Sequence, residues 1–233
     1  MPAVPIPTNA IPRIKVCGVR QLADLDLLVS AGVDSVGINF VPRSPRYLEP
    51  ARAGELCARA AELGLFRVAV VMDLPATNLR ELLSQIDVDC VQLHGREPPA
   101  IASACGGLPI LKVTSWTGRP EESQLVNAWR RSVKTGQLLA WLVDAFAPSA
   151  GGGTGQVARW DLLHPRPAVF GMLPLILAGG LNPANVAEAI AATAADGVDT
   201  ASGVELAPGR KSPSLVREFA SAASLALSMR AGG

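Results

Sequence analysis

The sequence predicts a single α/β domain folded as a (β/α)8 barrel, and three observations lead to this prediction. Short runs of β-branched and apolar residues alternate with longer amphipathic stretches along the chain. Most of the short runs are continuously apolar, which is typical of parallel strands covered on both faces. Eight such runs fit into 233 residues, the size of one large barrel domain. An open doubly wound sheet is the alternative, but Cys17-Gly18-Val19-Arg20 after the first strand lacks the glycine pattern of a dinucleotide-binding turn.

The predicted strands are short segments rich in Val, Ile and Leu. In chain order they are Ile14–Cys17, Ser35–Phe40, Arg67–Met72, Cys90–His94, Ile110–Val113, Leu138–Asp144, Leu175–Ala178 and Gly197–Ala201.

A helix is predicted after each strand, because apolar residues recur there at helical spacing or a helix-start signal is present. The first helix places Leu22, Leu25 and Leu28 on one face, and Pro183 lies near the first turn of the seventh, where proline is tolerated. In chain order the predicted helices are Gln21–Ala31, Ala51–Leu63, Thr77–Gln85, Pro98–Ala104, Glu121–Val133, Gln156–Leu163, Pro183–Ala192 and Ser214–Ala226.

The ends of the chain differ in composition from the rest. Residues 1–11 are rich in proline and lack the charged start and apolar stretch of a signal peptide, so we expect a flexible leader. Residues 12–229 are expected to form the catalytic barrel, and 230–233 a disordered tail.

Composition excludes several classes of protein. The net charge of +1 leaves no excess of basic residues to neutralise the phosphates of a nucleic acid. No apolar run approaches the roughly 20 residues of a membrane span. Four scattered cysteines without CxxC spacing indicate reduced thiols in the cytoplasm rather than disulfides or a zinc site. Three of them, Cys57, Cys90 and Cys105, are expected to be packing residues.

Cys17 ends the first strand and is followed at once by Gly18. A buried cysteine is usually an inert small hydrophobe. At the C-terminal end of a barrel strand, however, it lies where barrels carry out their chemistry. Asp144 ends the sixth strand in the same way and precedes a glycine-rich loop that includes Gly153. Asp144 either orients this loop or acts as a general acid.

Two glycine-containing segments follow strands seven and eight, where many barrels bind phosphate. Gly179 and Gly180 follow strand seven, and Ser202 and Gly203 follow strand eight. Each segment alone is equally typical of an ordinary turn. Together, at neighbouring strand ends, they predict a phosphate site.

Three further side chains are candidates for binding a ligand. Arg46 lies in a loop stiffened by two prolines, where it is either a solvated surface residue or a fork for a carboxylate. Gln92 and His94 point to the same face of strand four by strand alternation. His94 either lines the site or is a structural histidine.

Seven segments of the chain occur together in an order typical of one enzyme family. They are Lys15-Val16-Cys17-Gly18, Ser44-Pro45-Arg46, Val91-Gln92-Leu93-His94-Gly95, Asp144-Ala145, Gly152-Gly153-Thr154-Gly155, Leu177-Ala178-Gly179-Gly180-Leu181 with Asn185-Val186, and Ser202-Gly203-Val204-Glu205 with Pro208-Gly209. Together these segments resemble the phosphoribosylanthranilate isomerase family of tryptophan biosynthesis. The resemblance covers nearly all of the chain from Arg13 to Phe219.

This resemblance implies an Amadori rearrangement of N-(5-phosphoribosyl)anthranilate, without metal or organic cofactor. Asp144 resembles the general acid that opens the furanose ring, and Cys17 resembles the general base that takes the C2 proton. Arg46 resembles the residue that holds the anthranilate carboxylate. The resemblance implies a phosphorylated small molecule as the ligand, and the sequence leaves a monomer or a homodimer open. The residues that resemble the phosphate cup are Gly179, Gly180, Ser202 and Gly203.

Four positions depart from the family's pattern, and none is the expected acid or base. They are Arg20, Asn39, Arg159 and Ser212. One rival is the related sugar isomerase of histidine biosynthesis, in which two aspartates would be expected where this chain pairs Cys17 with Asp144. Another is a non-catalytic barrel that binds a phosphorylated metabolite, which would keep the glycines without needing Cys17 or Asp144.

Overall fold

Eight parallel strands close into a barrel in the computed structural model, which describes residues 11–134, 136–144 and 159–231. Each strand pairs with its neighbours in chain order, and the last strand pairs with the first. The (β/α)8 prediction is therefore confirmed, and the open doubly wound alternative is wrong. The strands of the barrel are β1 Ile14–Cys17, β2 Ser35–Asn39, β3 Phe66–Val71, β4 Cys90–Leu93, β5 Ile110–Ser115, β6 Leu138–Asp144, β7 Leu175–Ala178 and β8 Gly197–Thr200.

Six α-helices surround the barrel in the described part of the chain. None of them is long and apolar enough to cross a membrane. They are α1 Leu22–Ser30, α2 Pro50–Glu62, α3 Ala76–Gln85, α4 Pro120–Ser132, α5 Val186–Thr193 and α6 Pro213–Ala231.

Two predicted helices are short 3-10 turns instead. The segment predicted as Pro98–Ala104 is a 3-10 helix over Pro99–Cys105, which begins beside two prolines. Of the segment predicted as Gln156–Leu163, Trp160–Leu163 is a 3-10 helix, and residues 156–158 lie outside the described residues.

The helix after β7 begins at Val186, three residues later than predicted. Two side chains occupy the backbone groups before it: the N–H of Ala184 donates to Asn182 Oδ1 (2.9 Å), and the N–H of Asn182 donates to Asn185 Oδ1 (2.8 Å). Such local hydrogen bonds from asparagine compete with helix formation, which accounts for the late start.

The C-terminal part of the chain differs from prediction in two further ways. A short antiparallel hairpin, β9 Glu205–Ala207 and β10 Arg210–Lys211, follows β8 and was not predicted. Its turn contains Gly209 with a φ of 78°, which glycine adopts without strain. Helix α6 continues to Ala231, so it includes Arg230, which was expected in the tail.

Side chains alternate between the barrel interior and the layer beneath the helices. In β1, Ile14 and Val16 pack in the outer core, whereas Cys17 belongs to the interior cluster. Lys15 therefore also points into the barrel, one layer below Cys17. The interior cluster consists of Cys17, Phe66, Val68, Val70, Cys90, Leu111, Val113, Ala140, Leu142, Ile176 and Ala178.

Candidate active site

A cavity of about 330 Å³ opens at the C-terminal ends of the barrel strands. This size suits a small molecule, and this end is where (β/α)8 enzymes carry their active sites. Its lining includes eight of the predicted site residues: Cys17, Arg46, Gln92, His94, Asp144, Gly179, Gly180 and Ser202. Gly203 follows Ser202 in the chain but is not part of the lining, and Gly153 lies outside the described residues.

Cys17 is buried at the base of the cavity, with 8% of its surface exposed. Burial raises the pKa of its thiol, while the positive charges of Lys15 and Lys211 oppose that rise. These two lysines favour the thiolate, but burial outweighs them, so the net shift of the pKa is upward. Arg20, two residues from Gly18, turns away and donates from Nη1 to the carbonyl of Pro45 (3.2 Å).

Asp144 ends β6 and lines the same cavity, where it is half-buried. Its backbone pairs with Ser115 of β5 and Ala178 of β7. The strand register therefore fixes where the carboxyl group enters the cavity. Strands β1 and β6 lie on different sides of the closed barrel, so Cys17 and Asp144 approach a ligand in the cavity from different sides.

Gln92 and His94 form a polar pair at the end of β4, as strand alternation predicted. Gln92 Nε2 lies 3.1 Å from His94 Nδ1. Burial by surrounding protein lowers the pKa of His94, although its side chain is exposed at the cavity mouth, and this shift favours the neutral ring. An amide nitrogen only donates, so Nδ1 accepts and the ring proton is on Nε2.

The other amide atom of Gln92 is also significant. Gln92 Oε1 is buried and has no hydrogen-bond partner within the described part of the chain. A buried polar atom without a partner is costly unless a ligand or water satisfies it. Since Gln92 lines the cavity, this oxygen offers a hydrogen-bond acceptor to a bound molecule.

Arg46 reaches the cavity, but its guanidinium already holds a carboxylate of the protein. Nε and Nη2 donate to the two oxygens of Glu205, at 2.9 and 2.6 Å. Lys211 Nζ donates to Glu205 Oε1 (2.8 Å). Burial alone would raise the pKa of Glu205, but Arg46 and Lys211 hold it below its ordinary value. Two cations around one carboxylate leave a net positive charge beside the cavity.

The path of the Arg46 side chain requires a glycine directly after Cys17. A Cβ on Gly18 would collide with the aliphatic stem of Arg46, and Gly18 also has a φ of 74°. Only glycine therefore allows the chain to turn after β1 while Arg46 crosses it.

The predicted phosphate segments lie together because β7 and β8 are neighbours. Thr200 Oγ1 donates to the carbonyl of Leu181 (2.7 Å), which ties the two loops to each other. A Cβ on Gly203 would collide with that same carbonyl. Gly179 and Gly180 both have positive φ, at 91° and 68°, so the backbone turns sharply toward the cavity.

The four departures from the family's pattern have local explanations. Asn39 accepts a hydrogen bond from the N–H of Val41 at Oδ1 (2.8 Å) and so stiffens the loop toward Arg46. Arg159 pairs with Asp161 on the surface. Ser212 Oγ accepts from the N–H of Leu215 (3.4 Å) in the first turn of α6. Asn39 lines the cavity, whereas Arg20, Arg159 and Ser212 do not.

Four charged residues of the site were not singled out from the sequence: Lys15, Asp199, Glu205 and Lys211. Lys15 and Asp199 form a buried ion pair of 2.9 Å inside the barrel. A charged residue in a continuously apolar strand is the one sequence signal that indicates Lys15 and Asp199. Among residues 11–134, 136–144 and 159–231, no group of three or more His, Cys, Asp or Glu side chains is arranged to hold a metal ion.

Residues 14–222 match the model of the N-(5'-phosphoribosyl)anthranilate isomerase family. The N-(5'-phosphoribosyl)anthranilate isomerase of Myxococcus xanthus is 43% identical over 212 residues, which cover 91% of this chain and 95% of that protein. The enzyme of Paracoccus denitrificans is 38% identical over 212 residues, covering 88% of this chain and 94% of that protein.

Solved structures of phosphoribosylanthranilate isomerases are also similar to this chain. The Thermotoga maritima enzyme has a TM-score of 0.78 and 30% sequence identity, covering 92% of this chain and 99% of that one. A second phosphoribosylanthranilate isomerase structure has a TM-score of 0.76 and 28% sequence identity, and it covers the same 92% of this chain and 99% of that one. It is a complex with reduced 1-(o-carboxyphenylamino)-1-deoxyribulose 5-phosphate. Another similar structure is of monomers generated from the dimeric enzyme of Thermotoga maritima.

Proposed function

This chain belongs to the N-(5'-phosphoribosyl)anthranilate isomerase family of tryptophan biosynthesis, and on that premise we propose that Cys17 and Asp144 carry out its reaction. The reaction is the Amadori rearrangement of N-(5'-phosphoribosyl)anthranilate to 1-(o-carboxyphenylamino)-1-deoxyribulose 5-phosphate. It moves protons within one molecule and leaves the substrate's composition unchanged.

The rearrangement needs one acid and one base. Asp144 donates a proton to the ring oxygen of the ribose, and the C1–O bond breaks to give an open-chain Schiff base. Cys17, as the thiolate, then removes the proton from C2, and the electrons of that C–H bond neutralise the iminium nitrogen. The resulting enolamine gains a proton at C1 and loses one from the C2 hydroxyl, which yields the ketone. Proton transfers of this kind by positioned side chains contribute about 10²- to 10⁴-fold each to the rate.

Two anchors hold the substrate between these groups. The loops after β7 and β8, with Gly179, Gly180, Ser202 and Gly203, receive the phosphate. Arg46, with the net positive charge that it shares with Lys211 and Glu205, receives the anthranilate carboxylate. Fixing both ends of a substrate makes the chemical step effectively intramolecular, which lowers the barrier by several kcal/mol.

One observation carries the proposal. Cys17 and Asp144 line a single cavity together with the glycines after β7, Ser202 and Arg46. A ligand in this cavity therefore meets an acid, a base and two anchors at once. Gln92 supplies its unpartnered Oε1 and His94 its Nε2 proton to the polar groups of the same ligand.

The activity is tested with freshly prepared N-(5'-phosphoribosyl)anthranilate, whose fluorescence is lost as it rearranges. We expect the wild-type protein to accelerate this loss in proportion to its concentration, and product to form in equal amount. If the fluorescence decays no faster with protein than without it, the isomerase proposal fails.

Replacement of Arg46 by alanine tests the carboxylate anchor. A hydrogen-bonded charged partner is worth about 1.5–3 kcal/mol, so we expect KM to rise about 10- to 100-fold in Arg46→Ala. We expect a smaller change in kcat, because the acid and base remain. Arg43→Ala is the matched control, since Arg43 lies in the same loop but is exposed. Equal effects on KM in the two variants contradict a specific role for Arg46.

The proposed function also bears on the oligomeric state and the cellular compartment of the protein. The related enzyme of Thermotoga maritima is dimeric, and we propose that this chain acts as a monomer or a homodimer without nucleic acid. Its four cysteines are free and buried. Free thiols fit a cytoplasmic enzyme that draws its substrate from the cytoplasmic pool.

A further inference from the structure

A lysine lies inside the barrel directly below the proposed base. Lys15 is fully buried, and its Nζ lies 2.9 Å from Asp199 Oδ1. Lys15 and Asp199 are partners in the register between β1 and β8, so barrel closure brings them together. Lys15 and Cys17 are two residues apart on the same strand and point to the same side.

The space between the two side chains is kept open by a glycine. Gly37 of β2 is the register partner of Cys17. A Cβ on Gly37 would lie 2.9 Å from Cys17 Sγ and 3.0 Å from Lys15 Nζ. The sulfur and the ammonium nitrogen therefore border the same point, and the absence of a side chain on Gly37 lets them face each other.

The packing around Lys15 and Asp199 gives no structural reason for an ion pair. The interior cluster of the barrel is apolar, with Val68, Leu111 and Ile176 among its members, although the register partner of Lys15 on β2 is the buried Ser35. A buried ion pair is costly to desolvate, and apolar side chains of similar volume are often at least as stabilising. A buried lysine and aspartate at this depth are therefore better explained by the chemistry above them than by stability.

We propose that Lys15 is a positioning residue for the reaction: its ammonium group, held by Asp199, stabilises the thiolate form of Cys17 that accepts the C2 proton. The proposal rests on the proposed function, since it takes Cys17 as the base. Asp199 keeps Lys15 charged within the barrel: burial alone would lower the pKa of Lys15, but Asp199 and Cys17 together hold it above its ordinary value.

Other charged groups also act on Cys17. Asp199 opposes its ionisation, and Lys211, from β10, favours it. Arg46 interacts electrostatically with Cys17 from the loop after β2. However, Arg46 and Lys211 both bind Glu205, and Lys211 Nζ also donates to the carbonyls of Cys17 (2.7 Å) and Ala201 (3.2 Å). Lys15 is the cation whose charge acts most strongly on the thiol.

Farther groups complete the electrostatic surroundings. Burial lowers the pKa of His94 on β4, which favours its neutral form. Cys90, also on β4, lies in the interior cluster, where burial keeps its pKa far above the ordinary value. Both shifts favour the uncharged forms, so the cations that act on Cys17 are Lys15, Lys211 and Arg46.

The test measures the thiol directly, without turnover. Iodoacetamide modification of Cys17 is followed by mass spectrometry as a function of pH in the wild type, Lys15→Met and Lys15→Arg. Removing a cation within a few ångströms of a thiol raises its pKa by about one unit or more. We therefore expect modification near neutral pH to be about tenfold slower in Lys15→Met, with its inflection at higher pH. Lys15→Arg retains the charge and is expected to restore most of the rate.

A second buried lysine provides the matched control. Lys112 is fully buried and pairs with Glu97 at 2.7 Å, but its Nζ lies 5.4 Å from the ring centroid of Trp129 on α4, outside the barrel. Lys112→Met should leave the Cys17 modification profile unchanged. Circular dichroism checks that each variant is folded. If Lys15→Met does not fold, Lys15→Gln takes its place, because glutamine can still donate to Asp199.

Turnover gives an independent readout. In Lys15→Met the rising limb of kcat against pH should move to higher pH, while KM stays close to the wild-type value. The proposal is overturned if iodoacetamide modifies Cys17 with the wild-type pH profile in Lys15→Met or Lys15→Gln. It is also overturned if Lys112→Met shifts that profile by as much as Lys15→Met does. A wrong assignment of Cys17 as the base gives a different result. It appears as activity retained in Cys17→Ala, whatever the pH dependence of Cys17 modification shows.

Discussion

Replacing Cys17 by alanine is expected to lower kcat about 10²- to 10⁴-fold, because the alanine side chain cannot accept the C2 proton. KM should change little, since the phosphate and carboxylate anchors remain. Steady-state rates from the fluorescence of N-(5'-phosphoribosyl)anthranilate measure both quantities. Burial places the pKa of Cys17 above its ordinary value, so the wild-type rate should rise with pH above neutrality. The residual activity of Cys17→Ala should lack this rise.

Cys57→Ala is the matched control for this variant. Cys57 is also buried and free, but it packs in α2 within the outer core. We expect unchanged kcat in Cys57→Ala and some loss of thermal stability from the smaller side chain. Near-wild-type turnover in Cys17→Ala would falsify the assignment of Cys17 as the base.

Replacing Asp144 by asparagine is expected to have an effect of similar size for a different reason. Asparagine keeps the shape and hydrogen-bonding capacity of the side chain but has no proton to give to the ring oxygen. Ring opening should then limit the rate, and kcat should fall about 10²- to 10⁴-fold.

A binding measurement separates proton donation from substrate binding. Reduced 1-(o-carboxyphenylamino)-1-deoxyribulose 5-phosphate, the ligand of a related isomerase, is already an open chain and does not need the acid. Asp144→Asn should therefore bind it about as tightly as the wild type. Asp161→Asn, on an exposed aspartate paired with Arg159, serves as the control. A large loss of affinity in Asp144→Asn, with turnover of bound substrate retained, would instead make Asp144 a binding residue.

The order of the barrel strands was predictable because each strand has a local signal. Continuous apolar runs predicted all eight strands, with ends within two residues of those observed. The helices were less predictable where asparagine or proline competes for the backbone, as at Asn182 and Pro98. The hairpin after β8 was missed because β9 and β10 have only three and two residues, too short to show strand alternation.

The candidate site was predictable to the extent that its residues stand at strand ends. Cys17, Asp144, Gln92 and His94 each lie at or next to the end of an apolar run, and parallel strands bring such ends to one edge. For Arg46 the sequence predicted a loop position but not its partner. Its bidentate pairing with Glu205 joins residues 159 positions apart, which no local pattern reveals.

The sequence by itself determined the (β/α)8 class, the strand order, and the thiol, carboxyl and glycines that line the cavity. The electrostatics of the thiol were decided only by the tertiary structure. Lys15 meets Asp199 across 184 positions, and Lys211 reaches the carbonyl of Cys17 across 194. Both contacts exist because β8 pairs with β1 and the chain then returns to β1 through β9 and β10. Hydrophobic periodicity records which side of a strand is buried, whereas the charges placed around a buried group depend on barrel closure and strand register.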